Sequence, residues 1–400
     1  MTFRAAAMDV LRAVAALLVA GAAPALNAQT VAVPQSAVIR SYVIRVGPQR
    51  PVTTIAEAAK VSRDGDTIEI EAGDYIRDVA VWTRSDLVIR AVDGPVRIIA
   101  AGASAEGKGI WVVRGDRIVV ENLTFIGARV PGRNGAGIRL ERGRLKVSGC
   151  AFLDNENGIL TGNNAGIELE VENSEFGNNG GGDGQSHNLY VGTIGKLTVT
   201  GSYFHHANVG HLLKSRAQRS HIFYNRLTDE TGGRASYELE FPSGGVAHVI
   251  GNVIEQGAKT ENSAIISFGA EGYRWPRNEL YLINNTIVDD RPKRGTFLQV
   301  KPGAHRIKAV NNLLFGSGEL DAAGRGEYRS NFHARAGDFA SPVDYDYRLK
   351  PSSKLVGMAV HPGQGGGVSL KVDREYVHPQ HSRPVPEGLY NPGALQSLAP

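Results

Sequence analysis

Between residues 118 and 315 the chain repeats one pattern of apolar and polar positions: an apolar strand, then Asn or Gly, two further residues, and usually an apolar one. It reads Val120-Glu-Asn122-Leu-Thr-Phe125, Val147-Ser-Gly149-Cys-Ala-Phe152, Val171-Glu-Asn173-Ser-Glu-Phe176 and Val199-Thr-Gly201-Ser-Tyr-Phe204, with weaker copies at Asn225, Asn252, Asn285 and Asn312. The intervals are 27, 24, 28, 24, 27, 33 and 27 residues. A recurring period without helical periodicity inside it predicts a β-solenoid. One coil of such a solenoid holds about three short strands, stacked on the next coil at about 4.8 Å. Residues distant in sequence then meet in ladders on its faces.

The flanks differ. Thr54–Lys60 has a short helical pattern, Asp64-Gly65-Asp66 a turn, Thr67–Glu71 an alternating strand, and Gly73-Asp74-Tyr75 follows. This order resembles the start of pectate-lyase-like right-handed β-helices, in which a short helix covers the open end of the coil; an uncovered end exposes strand edges and core. The expected fold is therefore all-β, a right-handed parallel β-helix over residues 42–355 with a short N-terminal capping helix. Asp344–Leu349 followed by Pro351–Leu355 resembles a closing segment, and residues 356–400 are expected to form an irregular tail. Residues 1–28 carry Arg4 and Arg12 before an apolar run from Val14 and small residues up to Ala28. They read as a secretory signal, so a secreted or periplasmic location is expected, with no membrane contact after cleavage.

The single cysteine, Cys150, excludes an intramolecular disulfide. It lies in the repeat, at a position matched with Leu123 and Leu313, and reads as a small buried hydrophobe. No Cys/His group has zinc-site spacing. The net charge of +4 comes without a Lys/Arg run, which argues against a nucleic-acid partner and is compatible with an acidic glycan. The chain is expected to act as a monomer.

Chemistry concentrates on five successive strands: Ser186–Gly192, Gly210–Arg216, Ser236–Phe241, Ser263–Phe268 and Thr296–Val300. With Leu189, Leu213, Leu239 and Ile266 inward, alternation puts Tyr190, Lys214, Glu240 and Ser267 in one outer row. It also predicts an adjacent outer row of Asn188, Leu212, Glu238 and Ile265, with Arg216 beyond Lys214 and with His187 and His211 pointing inward. Earlier coils read as plainer outside. The Gly-rich excursion Phe176–Gln185 lacks a phosphate-loop ending and reads as a corner bordering a groove. The insertion Glu271–Arg277 offers Tyr273, Arg274 and Trp275, and these, with Asn188, His187 and Tyr237, are the candidate substrate-binding residues.

The run Leu213-Lys-Ser-Arg216 through Ile222 to Asn225, followed by Gly232 and Leu239, resembles chondroitinase B and β-helical alginate lyases. The resemblance implies a polysaccharide lyase with Lys214 as catalytic base. Two departures stand out. Glu240 occupies the place of the family's Arg on the following coil, leaving Arg216 as the substitute, and Ala207 and Val209 stand where the family has two calcium-ligating Glu. No metal site of that type is expected; Glu238 and Glu240 are the oxygen donors that remain for a cation. β-Elimination needs a carboxylate neutraliser, a base and an acid, for which Arg216, Lys214, and Tyr190 or His211 are the candidates. Arg216 favours loss of the Lys214 proton and Glu240 opposes it. Two alternatives remain open. One is a glycoside hydrolase using Glu238, Glu240 and Asp229; the other is a non-catalytic carbohydrate-binding β-helix.

Overall fold

A computed structural model describes residues 41–400 apart from residues 261, 322, 323, 325, 386, 387 and 389. The leader expected at residues 1–28 lies outside the described residues.

The repeat folds as a parallel β-solenoid whose coils each contribute a strand to three faces. The first face includes Arg144–Ser148, Glu168–Glu172, Lys196–Thr200, Arg219–Phe223 and Val246–Ile250. The second includes Ala151–Leu153, Glu175–Gly177, Tyr203–His205, Arg226–Thr228 and Val253–Gln256. The third is a nine-stranded parallel sheet running from Ala80–Trp82 to Thr296–Val300. Apolar side chains from all three faces fill one continuous core. Within it Phe125, Phe152, Phe176 and Phe204 stack as expected, with ring centroids 5.0, 4.8 and 4.6 Å apart. The column continues as Leu227.

The tight corner between the first two faces explains the Asn and Gly of the repeat and shifts its later phase. The corner residue has a left-handed backbone: Asn122, Gly149, Asn173 and Gly201, then Tyr224, Gly251, Asn284 and Asn311. Asn225, Asn252, Asn285 and Asn312 thus stand one residue later than the sequence alignment implied, in register with Leu123, Cys150, Ser174 and Ser202. They form a side-chain ladder. The backbone N–H of each rung donates to the side chain of the next: Ser202 to Asn225, Asn225 to Asn252, Asn252 to Asn285, Asn285 to Asn312, and Asn312 to Asn331. The side-chain amide of Asn225 also donates to the carbonyl of Val199, at 2.9 Å. A buried corner whose peptide groups cannot join a strand is satisfied in this way. Cys150 serves as a rung too, 3.4 Å from the Leu123 N–H, so it matches Asn312 rather than Leu313; burial pushes its thiol up to about 12.

The capping helix is Ile55–Val61, capped by the Thr54 side chain and by Asp78, whose carboxylate accepts from the N–H groups of Ile55 and Ala56. It buries Ile55, Ala58 and Ala59 over the first coil. The tail is more ordered than expected, with antiparallel hairpins at Gln364–Ser369 and Arg374–Pro384. It lies along the coil. Leu370 and Val372 pack on Tyr224, Ile250, Ile283 and Val310 of the first-face side. Phe339, Tyr347, Leu349 and Ala394 cover Val253, Val288 and Leu313 of the second. Those outward apolar positions have no water-compatible alternative. The third face, whose outward row is polar from Tyr190 to Gln299, is left clear of these clusters.

Candidate functional site

Three short strands of the third face, Leu189–Val191, Leu213–Ser215 and Leu239–Phe241, carry the center of the site. Leu189, Leu213 and Leu239 pair in register and are fully buried, so Tyr190, Lys214 and Glu240 align outward, as the pattern predicted. Ser267 and Gln299 extend that row on one side. Leu160 and then Arg139 extend it on the other.

The ionic groups form one network. Lys214 Nζ is 3.1 Å from Glu240 Oε2 and 3.3 Å from Glu271 Oε1. Arg216 grips Glu271 with two parallel hydrogen bonds of 2.8 and 2.6 Å and lies over the Tyr190 ring at 5.2 Å. The Arg216 hydrogen bonds hold the Glu271 carboxyl down at about 2. Burial works against the Arg216 charge, yet Glu271 keeps its pKa above the ordinary value. Burial also works to raise Glu240, but His211 and Lys214 hold it below the usual carboxylate range.

His211 Nε2 faces Glu240 Oε2 at 3.1 Å, while its Nδ1 accepts from the Tyr237 N–H at 3.4 Å. This assigns the ring proton to Nε2. His187 stacks on His211 with centroids 4.3 Å apart and accepts the His211 N–H on Nδ1. Burial, foremost, lowers both histidines below their ordinary pKa. Both were expected to point inward; instead they line the outer row at the corner, because the chain bends between His187 and Leu189 and breaks the strict alternation. Tyr237 stands edge-on to His211.

The same bend turns the expected second outer row inside. Asn188 is fully buried and donates to the carbonyls of Phe176 and His205, a corner ladder residue rather than a binding group. Leu212 and Ile265 join the core. Glu238 is fully buried against Gln256, and burial, reinforced by Asp229 and Glu255, raises its pKa well above the ordinary value. Asp229 is buried as well and pushed up to about 7 by desolvation.

In the Glu271–Arg277 insertion, the Trp275 indole donates to the Arg216 carbonyl at 3.0 Å and the Tyr273 hydroxyl to the Lys301 carbonyl at 2.7 Å. Both rings are therefore partly committed to holding the loop, and Arg274 is exposed. The loop bounds a cleft of about 530 Å³ lined by Asn134, Arg139, Tyr190, Arg216, Glu271 and Arg274, among others. Lys214 stands on the next rung beyond Tyr190.

Sequence reasoning missed Arg139 and Glu271. Extending the Tyr190 row back by two coils reaches Arg139, so the earlier coils are not plain outside; nothing short of the loop geometry points to Glu271. Ala207 and Val209 offer no side-chain oxygen, and Glu240 and Glu271 are engaged by cationic groups. Among the described residues no group of three or more His, Cys, Asp or Glu could hold a metal ion.

No protein-family model and no curated protein matches the chain. Among solved structures, pectate lyase Pel9A is similar over 89% of this chain and 96% of its own, at 13% identity and a TM-score of 0.64. An alginate lyase from Paenibacillus sp. str. FPU-7 aligns over 73% and 98%, at 12% identity and a TM-score of 0.40. A pectin methylesterase in complex with a hexasaccharide aligns over 70% and 80%, at 10% identity and a TM-score of 0.29. At such identities the likeness is one of fold, and it gives this chain the parallel β-helix architecture seen in pectate lyase Pel9A.

Proposed function

We propose that the chain is a secreted polysaccharide lyase that cleaves a uronic-acid-containing glycan by β-elimination on the third face. The observation that carries this reading is the succession of Tyr190 and Lys214 on adjacent rungs, with Arg216 beside them at the wall of an open cleft. That cleft is lined by three guanidinium groups and one carboxylate, which favours an anionic substrate. The apolar run after Arg4 and Arg12 supports secretion.

The substrate carboxylate takes the place of Glu271 on Arg216. This neutralises the uronate and acidifies its α-proton. It also draws Glu271, one of the two carboxylates paired with Lys214, out of the site. Lys214, having given its resident proton to solvent, then takes the α-proton as the neutral amine and becomes an ammonium. The electron pair of that C–H bond becomes a carbon–carbon double bond, the bond to the glycosidic oxygen breaks, and the Tyr190 hydroxyl protonates the departing oxygen. His211, with its proton directed at Glu240, acts as a positioning residue. Calcium has no part in this scheme.

The hydrolase alternative loses its geometry, since Glu238 and Asp229 are buried and only Glu240 reaches the outer face. The test is a screen of uronate polymers with the purified protein, read by ultraviolet absorbance of unsaturated products. Absorbance abolished by Lys214→Ala supports the reading. Cleavage that generates reducing ends without absorbance supports a hydrolase, and binding without cleavage supports a carbohydrate-binding protein.

A further inference from the structure

We infer that Arg139 forms a second carboxylate subsite, so that the glycan lies along the coil axis and is recognised by two acidic sugars rather than one. The inference rests on the lyase reading of the same cleft. Arg139 belongs to the outward row, paired through Leu160 to Tyr190 and then Lys214. Three rungs of about 4.8 Å place it about 14 Å from Lys214. Its guanidinium lines the cleft, and its buried Nε has no hydrogen-bond partner among the described residues. The nearest carboxylate on its own strand end, Glu141, is already taken by Lys108 at 2.6 Å and Arg114 at 2.7 Å. Arg216, by contrast, has its fork filled by Glu271.

A partly buried cation whose Nε lacks a hydrogen-bond partner and whose neighbouring carboxylate, Glu141, is shared with two other cations is costly to the folded chain unless a ligand completes it. Burial indeed lowers the Arg139 pKa from its ordinary value. The planar fork suits a carboxylate, and the neighbouring Asn134, Asn163 and Thr193 offer polar groups for sugar hydroxyls. A disaccharide bound at Lys214 is too short to reach Arg139; a tetrasaccharide along the axis reaches it.

The experiment compares wild type with Arg139→Gln and Arg139→Lys on the polymer that gives unsaturated product and on its size-defined oligomers from dimer to hexamer. The expected result is a KM about ten- to a hundredfold higher for tetramer and longer with Arg139→Gln. kcat and dimer kinetics should stay close to wild type, the melting temperature should not fall, and Arg139→Lys should recover part of the loss. Calorimetric binding of the carboxyl-reduced tetramer should be insensitive to Arg139→Gln. Equal KM values for wild type and Arg139→Gln on every oligomer, while wild type and not Lys214→Ala makes unsaturated product, overturn the subsite and leave the lyase reading intact. If wild type makes no unsaturated product from any uronate polymer, both fall together.

Discussion

Glu238 and Glu240, two residues apart on neighbouring positions of one coil, live in opposite environments. Glu240 meets His211 and Lys214 at 3.1 Å each and is held ionised. Glu238 is sealed in the interior with its pKa driven up by burial. Glu238→Gln should therefore leave turnover unchanged, whereas Glu240→Gln should release His211 and Lys214 and shift the acidic limb of the pH–rate profile. Equal effects of the two substitutions on kcat would contradict this division.

Lys214→Ala should remove nearly all turnover and leave the coil folded, with some loss of stability because it takes a cation away from the buried Glu240, which His211 still contacts. Lys214→Arg should fail as well, since a guanidinium does not give up its proton near neutral pH. Wild-type kcat in purified, folded Lys214→Ala would exclude this residue as the base.

Across about pH 4 to 8 two sets of buried groups act in opposite directions: the raised carboxyls cost stability as pH rises, and the histidines whose pKa burial lowers, His187, His211, His221 and His248, restore it. Asp229 has a folded pKa of about 7, and Glu238 and Glu255 are raised too, in each case chiefly by burial. Between the unfolded and folded pKa values the native chain keeps protons that the unfolded chain has lost, so each such group stabilises at low pH and ceases to do so above its folded pKa. Relative to wild type, Asp229→Asn should gain melting temperature as pH rises across that window. A difference in melting temperature between wild type and Asp229→Asn that stays constant from about pH 4 to 8 would show that this carboxyl is not protonated in the fold.

Activity should survive EDTA. Glu240 and Glu271 are committed to Lys214, His211 and Arg216, and Ala207 and Val209 cannot coordinate. Complete loss on chelation, restored by added calcium, would refute this.

Phe152→Ala should destabilise the chain by about 3–5 kcal/mol, since the ring is fully buried between Phe125 and Phe176. Asn252→Ala, which strands the donors of Asn225, should cost about 1–3 kcal/mol. Denaturant melts of the two variants give both values directly.

The solenoid was legible because its core is periodic: the Phe125–Phe204 column and the row Tyr190, Lys214, Glu240 follow from alternation alone. What failed was local. The one-residue phase shift at Asn225 was hidden because both the left-handed corner and the ladder rung accept Asn, so composition does not tell them apart. His187, His211, Asn188 and Glu238 were misassigned because alternation does not hold through a corner. Glu271 arrives from an insertion whose path no period encodes. Arg139 could have been read by carrying the ladder back two coils.

The corner ladder also gives the molecule a direction. The backbone N–H of every rung takes its hydrogen-bond acceptor from the coil that follows it, from Leu123 and Cys150 through Asn312 to Asn331. A chain emerging N-terminus first from the ribosome thus carries at its growing tip a peptide group that only the next coil can satisfy. Growth mends each unfinished end, and loss of C-terminal coils uncovers a new one. Removing the last coil should accordingly strand the backbone N–H of the rung before it, whereas removing the first coil strands no rung N–H.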